Sequence, residues 1–322
     1  MLREKILKKS VERTRENVQK NNFAAVENYG RFYYKNFPNS FISNYANGIT
    51  AHRKKNYDNA ITLLTSALTM DKSYLETYKY LGESYFYINK REEAEENLQI
   101  YAAKLGKTRD MKAEDLLAKL KYRLDKKEDA AQGFEKLAKT DKSYESYYNL
   151  AFVQEEQGNI IESIKNYKRV LELKRDWESV YYRLADLYVK NNQYREAGRL
   201  LEDCLKRFPA TVKSDLLSGK INFFTNKLDD SLKFFERSIA NGQKADTEIN
   251  LMLGYIYYQN GKLEKAVSHI EPYYGKDLLK QENRTLNLTA ILVDIYKKLG
   301  IKYFDVFQFE PALEYFLKAL RV

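Results

Sequence analysis

Eight times along this chain a small residue stands twelve positions before another small residue, and the pairs advance at nearly constant spacing. They are Gly48/Ala60, Gly82/Ala94, Ala118/Ala130, Ala151/Ser163, Ala185/Ala197, Gly219/Ser231, Gly254/Ala266 and Gly300/Ala312. Successive pairs lie 34, 36, 33, 34, 34, 35 and 46 residues apart. A period in this range marks stacked supersecondary units, each too small to bury its own apolar face.

Within a period, apolar residues recur three and four apart, as Tyr57, Ala60, Ile61, Leu64, Ala67 and Leu68 do in the second half of 41–74. That is helical spacing. Short proline-free polar stretches, such as Lys54-Lys55-Asn56 and Asn191-Asn192-Gln193, join the halves. Each period therefore reads as two amphipathic helices folded back on each other. The two small residues face each other across the hairpin, where a side chain of one methyl or less lets the backbones approach to the low end of the interaxial range, about 8–10 Å. Leu98, Phe134, Tyr167, Leu201, Phe235, Ile270 and Phe316 are expected to fill the seams between hairpins.

These residues resemble the tetratricopeptide repeat, a helix–turn–helix unit of 34 residues, the step seen here. Residues 178–211 match best: Tyr181, Leu184, Ala185, Tyr188, Ala197, Leu201, Cys204 and Pro209 fall on the family's W-x2-L-G-x2-Y…A-x3-F-x2-A…P positions. The units read as 7–40, 41–74, 75–110, 111–143, 144–177, 178–211, 212–246, 247–280 and 293–322. The first is degenerate, with Thr14 and Val26 in place of the small pair, though Phe37-Pro38 closes it as Phe208-Pro209 closes the sixth. Pro272 and Gly275 predict an early stop to the second helix of the eighth unit. Residues 281–292 then read as an irregular insertion or as part of a longer first helix, about 283–304. The resemblance implies an all-α, right-handed superhelical solenoid running through 1–322 as a single domain.

That architecture leaves no room for a separate catalytic domain. The two histidines, His52 and His269, lie in different units with no Cys, His, Asp or Glu at recognisable ligand spacing, so no metal or cofactor is expected. The nucleophile elbow, phosphate loop and dinucleotide fingerprint are absent. The acidic pairs Glu92-Glu93 and Asp229-Asp230 open second helices, where negative charge suits the helix dipole. The lone Cys204 sits at a seam and reads as packing, with no disulfide framework. Intrinsic catalysis is not expected.

Family members bind partners mainly through their first helices, which line the concave face. The corresponding positions here carry Tyr45, Lys79, Tyr80, Phe86, Tyr87, Tyr122, Arg123, Tyr148, Asn149, Phe152, Tyr182, Arg183, Lys190, Lys220, Phe223, Phe224, Tyr255, Tyr258 and Phe304. An aromatic groove of this kind suits an extended peptide or an amphipathic helix of a protein partner. The family's carboxylate clamp is broken: Asn149 and Arg183 match, but Asp115 and Lys119 stand where Lys and Asn belong, and Ser179 replaces the other Lys. The expected function is a non-catalytic interaction scaffold or adaptor serving assembly of a larger complex.

The net charge of +10 is concentrated in residues 1–40 and 104–127, each holding nine Lys/Arg against four Asp/Glu. The alternative function is thus a basic solenoid binding nucleic acid or another anionic surface, although no nucleic-acid-binding motif is present. The last helix carries Phe309, Tyr315, Phe316, Leu317 and Leu320, and Phe309, Tyr315, Phe316 and Leu320 are expected to form a C-terminal interface, for a homodimer or a fixed partner. Residues 1–20 lack the apolar region of a signal peptide, and no span long enough for a membrane helix is present. Cytoplasm is the default expectation, with a membrane- or envelope-associated complex the alternative if the natural chain has a leader or anchor.

Overall fold

The computed structural model describes residues 2–106, 108–273, 280–281 and 284–322. They form nine helical hairpins: α1 (Leu2–Gln19) with α2 (Phe23–Asn36), α3 (Phe41–Arg53) with α4 (Tyr57–Met70), α5 (Leu75–Tyr87) with α6 (Arg91–Leu105), α7 (Met111–Arg123) with α8 (Lys127–Thr140), and α9 (Tyr144–Glu156) with α10 (Ile160–Leu173). The series continues as α11 (Glu178–Lys190) with α12 (Tyr194–Arg207), α13 (Val212–Phe224) with α14 (Leu228–Ala240), α15 (Thr247–Gln259) with α16 (Leu263–Ile270), and α17 (Leu288–Asp305) with α18 (Phe309–Arg321). Packing divides the chain into two compact units, Met1–Asn166 and Tyr167–Val322, with the boundary inside α10. In each unit a hairpin rests on the next, so both have the construction of an α-solenoid.

The turn inside every hairpin has the same stereochemistry. One residue adopts the left-handed conformation: Asn21, Lys55, Asn89, Asp125, Gly158, Asn192, Asn226, Gly261 and Phe307 in order. The following amide donates to a carbonyl five residues back, as from Asn56 to Ala51 (2.9 Å) and from Gln193 to Tyr188 (2.8 Å). This closure satisfies carbonyls that a helix end leaves open. Asn, Asp and Gly tolerate the left-handed region best, which explains the polar turn segments.

The small residues do what their spacing predicts. Ser163 Oγ donates to the Ala151 carbonyl and Ser231 Oγ to the Gly219 carbonyl, both at 2.8 Å and twelve residues apart. The bulky residue four positions beyond the second small residue closes onto its own hairpin. A Cβ on Gly48 would meet Leu64 Cγ at 2.7 Å, one on Gly82 would meet Leu98 Cγ at 2.8 Å, and one on Gly219 would meet Phe235 Cδ1 at 2.6 Å. Gly254 stands in the same relation to Ile270, and Gly300 to Phe316. Leu98, Phe235 and Ile270 thus lock the inside of a hairpin as well as its seam, and Phe316 locks the inside of the last hairpin. In the degenerate first hairpin, Thr14 and Val26 are still fully buried, and Thr14 Oγ1 meets its own helix at the Ser10 carbonyl, 2.8 Å away.

α16 ends at Ile270 after eight residues, and a single 3₁₀ turn over Glu271–Tyr273 contains Pro272. Gly275 lies outside the described residues. A two-residue antiparallel ladder pairs Lys280–Gln281 with Arg284–Thr285. Asn287 caps α17, its side chain accepting from the Ala290 amide at 2.9 Å, and α17 runs 18 residues where other first helices from α3 to α15 run 13. Cys204 is buried, and burial pushes its thiol up to about 11. A thiol held protonated in a core is inert packing.

Two glycines separate the packing role from helix propensity. Alanine is worth about 1 kcal/mol more than glycine in a helix interior, but overpacking costs about 1–3 kcal/mol. Gly219→Ala, which would press on the Phe235 ring, is expected to lower the stability measured by urea denaturation. Gly198→Ala in α12, where the new methyl would meet only Ile221 at 3.7 Å, is expected to raise it.

Candidate functional site

In the first compact unit the exposed ends of α5, α7 and α9 bring several of the expected groove residues together. Tyr122, Arg123, Tyr148, Asn149 and Phe152 line one cavity of about 220 Å³, with Lys119, Phe134 and Val153 completing its wall. Tyr122 meets Phe152 edge-on at 5.4 Å, and Tyr148 stacks on Phe152 at 6.4 Å. The Arg123 guanidinium lies 4.6 Å above the Phe86 ring, and Phe86 meets Tyr87 edge-on at 5.6 Å. The result is a half-exposed run of rings with one cation among them, suited to an apolar side chain flanked by a hydrogen-bonding or anionic group.

The broken clamp positions are occupied from within. Asp115 accepts from Lys119 at 2.6 Å and from Asn149 at 3.3 Å. The carboxylate that these donors could have taken from a ligand is thus supplied by the chain itself.

Four expected groove aromatics are corrected by the structure, because Tyr45, Tyr80, Tyr182 and Phe223 are buried. Neighbouring first helices lie close enough for a large ring on one flank to reach the next helix. Tyr45 stacks on Phe41 at 5.4 Å and leans on Tyr74 at 5.9 Å, and burial holds its hydroxyl well above the usual phenol range. Tyr80 packs on His52 at 5.2 Å. Tyr182 is tied through its hydroxyl to Glu178 (2.7 Å) and Thr211 (3.0 Å), and Phe223 meets Tyr255 edge-on at 5.7 Å.

The charged residues are also engaged. Lys79 pairs with Asp110 (2.6 Å), Lys190 with Asp186 (2.7 Å) and Lys220 with Glu248 (2.5 Å). Arg183 is half-buried. Tyr258 donates to Asp294 at 2.7 Å, and that bond with burial raises its hydroxyl. In the basic stretch 104–127, Arg109, Lys112, Lys119, Lys121, Lys126 and Lys127 all have carboxylate partners, while Lys107 lies outside the described residues.

Reading only first helices missed two rings. Tyr57, opening α4, stacks on Tyr87 at 4.8 Å, and Tyr194, opening α12, stacks on Phe224 at 4.8 Å. Each pair is thirty residues apart and joins the start of a second helix to the end of the next first helix. That spacing was the available signal.

At the C-terminal hairpin, Tyr315 and Phe316 are corrected from surface to half-buried positions. Tyr315 stacks on Tyr303 at 5.6 Å, and Phe316 covers Gly300. Phe309 and Leu320 are exposed, as are Phe304 and Phe307.

The first compact unit also holds a buried cluster with catalytic-looking contacts. His52 Nδ1 lies 2.9 Å from Ser84 Oγ, and His52 Nε2 lies 3.1 Å from Glu83 Oε2, which also meets Lys112 Nζ at 3.2 Å. Ser84 and Glu83 are fully buried, and Ser84 Oγ donates to the Tyr80 carbonyl at 2.6 Å. A hydroxyl without access to substrate is a structural link between α3 and α5. Burial pushes the Glu83 carboxyl up, but the His52 hydrogen bond and the Lys112 charge outweigh it and hold the group below its usual range. Among the described residues no cluster of three or more His, Cys, Asp or Glu is arranged to hold a metal, and no helix is long and apolar enough to cross a membrane.

Family models described as "Tetratricopeptide repeat" match residues 182–246, and 144–176 with 247–271. Protein O-mannosyl-transferase Tmtc3 of Drosophila melanogaster is 26% identical over 148 residues, covering 46% of this chain and 16% of that protein. A TPR repeat-containing protein of Methanocaldococcus jannaschii is 33% identical over 92 residues, 27% of this chain and 29% of that protein. The chain thus spans less than a third of the length of these curated relatives. Among solved structures, a tetratricopeptide repeat protein from Parabacteroides merdae aligns with TM-score 0.53 and 17% identity over 77% of this chain and 92% of its own. The C-terminal part of a TPR repeat-containing protein from Cytophaga hutchinsonii aligns with TM-score 0.57 and 16% identity over 73% and 96%.

A depressed carboxyl stabilises the fold at pH values above its unfolded pKa, about 4.3, and that contribution is lost as pH falls through the lower folded value. Glu83→Gln is therefore expected to cost about 1–3 kcal/mol at pH 7. In urea denaturation the gap from wild type should narrow below about pH 4.

Proposed function

We propose that this chain, whose residues 144–176 and 182–271 match tetratricopeptide-repeat models, is a non-catalytic scaffold binding a peptide or helical segment of a protein partner. The single observation that carries the reading is the cavity walled by Tyr122, Arg123, Tyr148, Asn149 and Phe152 on α7 and α9. Its size, about 220 Å³, suits one large apolar side chain. The half-buried rings offer area at small conformational cost, which favours their use as anchors. Arg123, held over Phe86, supplies a cation at the rim. The internal occupation of Lys119 and Asn149 by Asp115 argues against capture of a terminal carboxylate at that point. It favours recognition of an internal segment of the partner.

The basic stretch 104–127 supports the protein reading over the nucleic-acid one, since Lys112, Lys119, Lys121, Lys126 and Lys127 are each engaged by an intramolecular carboxylate. Assembly of a larger complex is the role such a scaffold would serve.

The test is affinity capture from native cell extract, comparing wild type with Tyr148→Ala/Phe152→Ala by quantitative mass spectrometry. Buried Tyr182 is left intact so that folding is not confounded. One or a few proteins should bind wild type and fall at least about tenfold with the variant, the scale of one interface anchor. An unchanged set of bound proteins, with helical content retained, would remove the groove as the site.

A further inference from the structure

The hairpin of α17 and α18 exposes an apolar face that no described residue covers. Leu320 is 84% exposed, Phe307 79%, Leu313 59% and Phe309 56%. At 100° per residue, Phe309, Leu313, Leu317 and Leu320 fall within about 80° of one another on α18. Single exposed apolar residues are ordinary, but a continuous stripe along a helix is an interaction surface.

A second feature of the same hairpin points the same way. In eight of the nine hairpin turns the left-handed residue is Asn, Asp, Lys or Gly, and in the last it is Phe307. A bulky side chain is strained in that conformation. Its ring is spread at the edge of the stripe, 6.3 Å from Phe309. Phe309, that ring's partner inside the hairpin, is itself exposed.

The charges beside the stripe identify the occupant. On α18, Glu310 and Glu314 occupy the first half, and Lys318 and Arg321 the second. Lys318 is engaged with Glu314 (3.5 Å) and Glu271 (3.3 Å), whereas Glu310 and Arg321 have no ion pair among the described residues. Glu310 and Arg321 lie on the same flank of the stripe, about 20° apart around the helix. A second α18 laid antiparallel about a two-fold axis brings Glu310 of each copy beside Arg321 of the other. The same axis, near residue 315, sets Leu313 against Leu317 and Phe309 against Leu320. A parallel two-fold arrangement would put the two copies of this flank on opposite sides of the interface, so that Glu310 of one copy could not meet Arg321 of the other.

We propose that this face is closed by a second copy of the chain, with the two α18 helices antiparallel across a two-fold axis. The interface is isologous, so one surface supplies both halves. It is separate from the α7–α9 cavity.

The experiment is sedimentation equilibrium of the full chain, expected to give twice the 38.0 kDa chain mass. Leu313→Asp/Leu317→Asp should weaken self-association by about 100-fold or more. Glu310→Arg should weaken it, and the double exchange Glu310→Arg/Arg321→Glu should restore it. Phe307→Asn should raise the thermal midpoint while weakening association, an outcome that a purely structural role for the ring would not produce. Orientation is read by mixing Leu313→Cys with Leu317→Cys chains, which should form a disulfide with each other. Cysteines in either variant alone would be offset by about 6 Å along the axis, and buried Cys204 gives no background. A 38.0 kDa monomer at every concentration would overturn the proposal, as would a dimer indifferent to these substitutions. Tyr148→Ala/Phe152→Ala should leave the dimer intact, so failure of the groove reading and failure of this one are distinguishable.

Discussion

The fold depends on one contact repeated along the chain, a large side chain of a second helix pressed onto a residue of the first helix that has no Cβ or only a methyl. Leu64 on Gly48, Leu98 on Gly82, Phe235 on Gly219, Ile270 on Gly254 and Phe316 on Gly300 are its glycine instances among the described residues. The hairpin can be this tight only because the opposing position is empty, and the pairing is asymmetric, large into small. Where the small residue of the second helix is serine, its hydroxyl spends itself on the opposite carbonyl, so the polar group costs little in the core.

That closeness shapes the surface. With neighbouring first helices near each other in each unit, large rings on their flanks reach across. Tyr45, Tyr80, Tyr182 and Phe223 are thereby drawn into the core or against the next helix, while Tyr122, Tyr148 and Phe152 stay half-exposed around a cavity. Lysines follow the same division. Lys79 and Lys220 reach acidic groups opening the next hairpin, at Asp110 and Glu248, and so strengthen the stack. The candidate site is what this internal bonding leaves over.

The hairpins were legible because their signals are local and redundant. A period of small residues, helical apolar spacing and Asn- or Gly-bearing turns all agree. The early end of α16 was readable from Pro272. The exposure of individual rings was not readable in the same way. Tyr45 and Tyr148 occupy the same step of their respective first helices to within a residue, yet one is sealed by Phe41 and Tyr74 and the other lines the cavity. Their environments differ through residues supplied by other helices. Ser84, His52 and Glu83 were likewise invisible as a group, since they are brought together from α3 and α5.

The sequence by itself determined the fold class, the hairpin count and where each turn falls, because a hairpin is closed by residues twelve and sixteen apart on one short stretch. Tertiary structure alone decided which aromatics are core and which are surface, which lysines are paired, and that Tyr315 and Phe316 turn inward while Phe309 and Leu320 stay outside. Those outcomes depend on distances between helices from different hairpins, and a side chain's reach across such a gap is a property of the packed assembly of helices, to which a position in the period contributes only a direction.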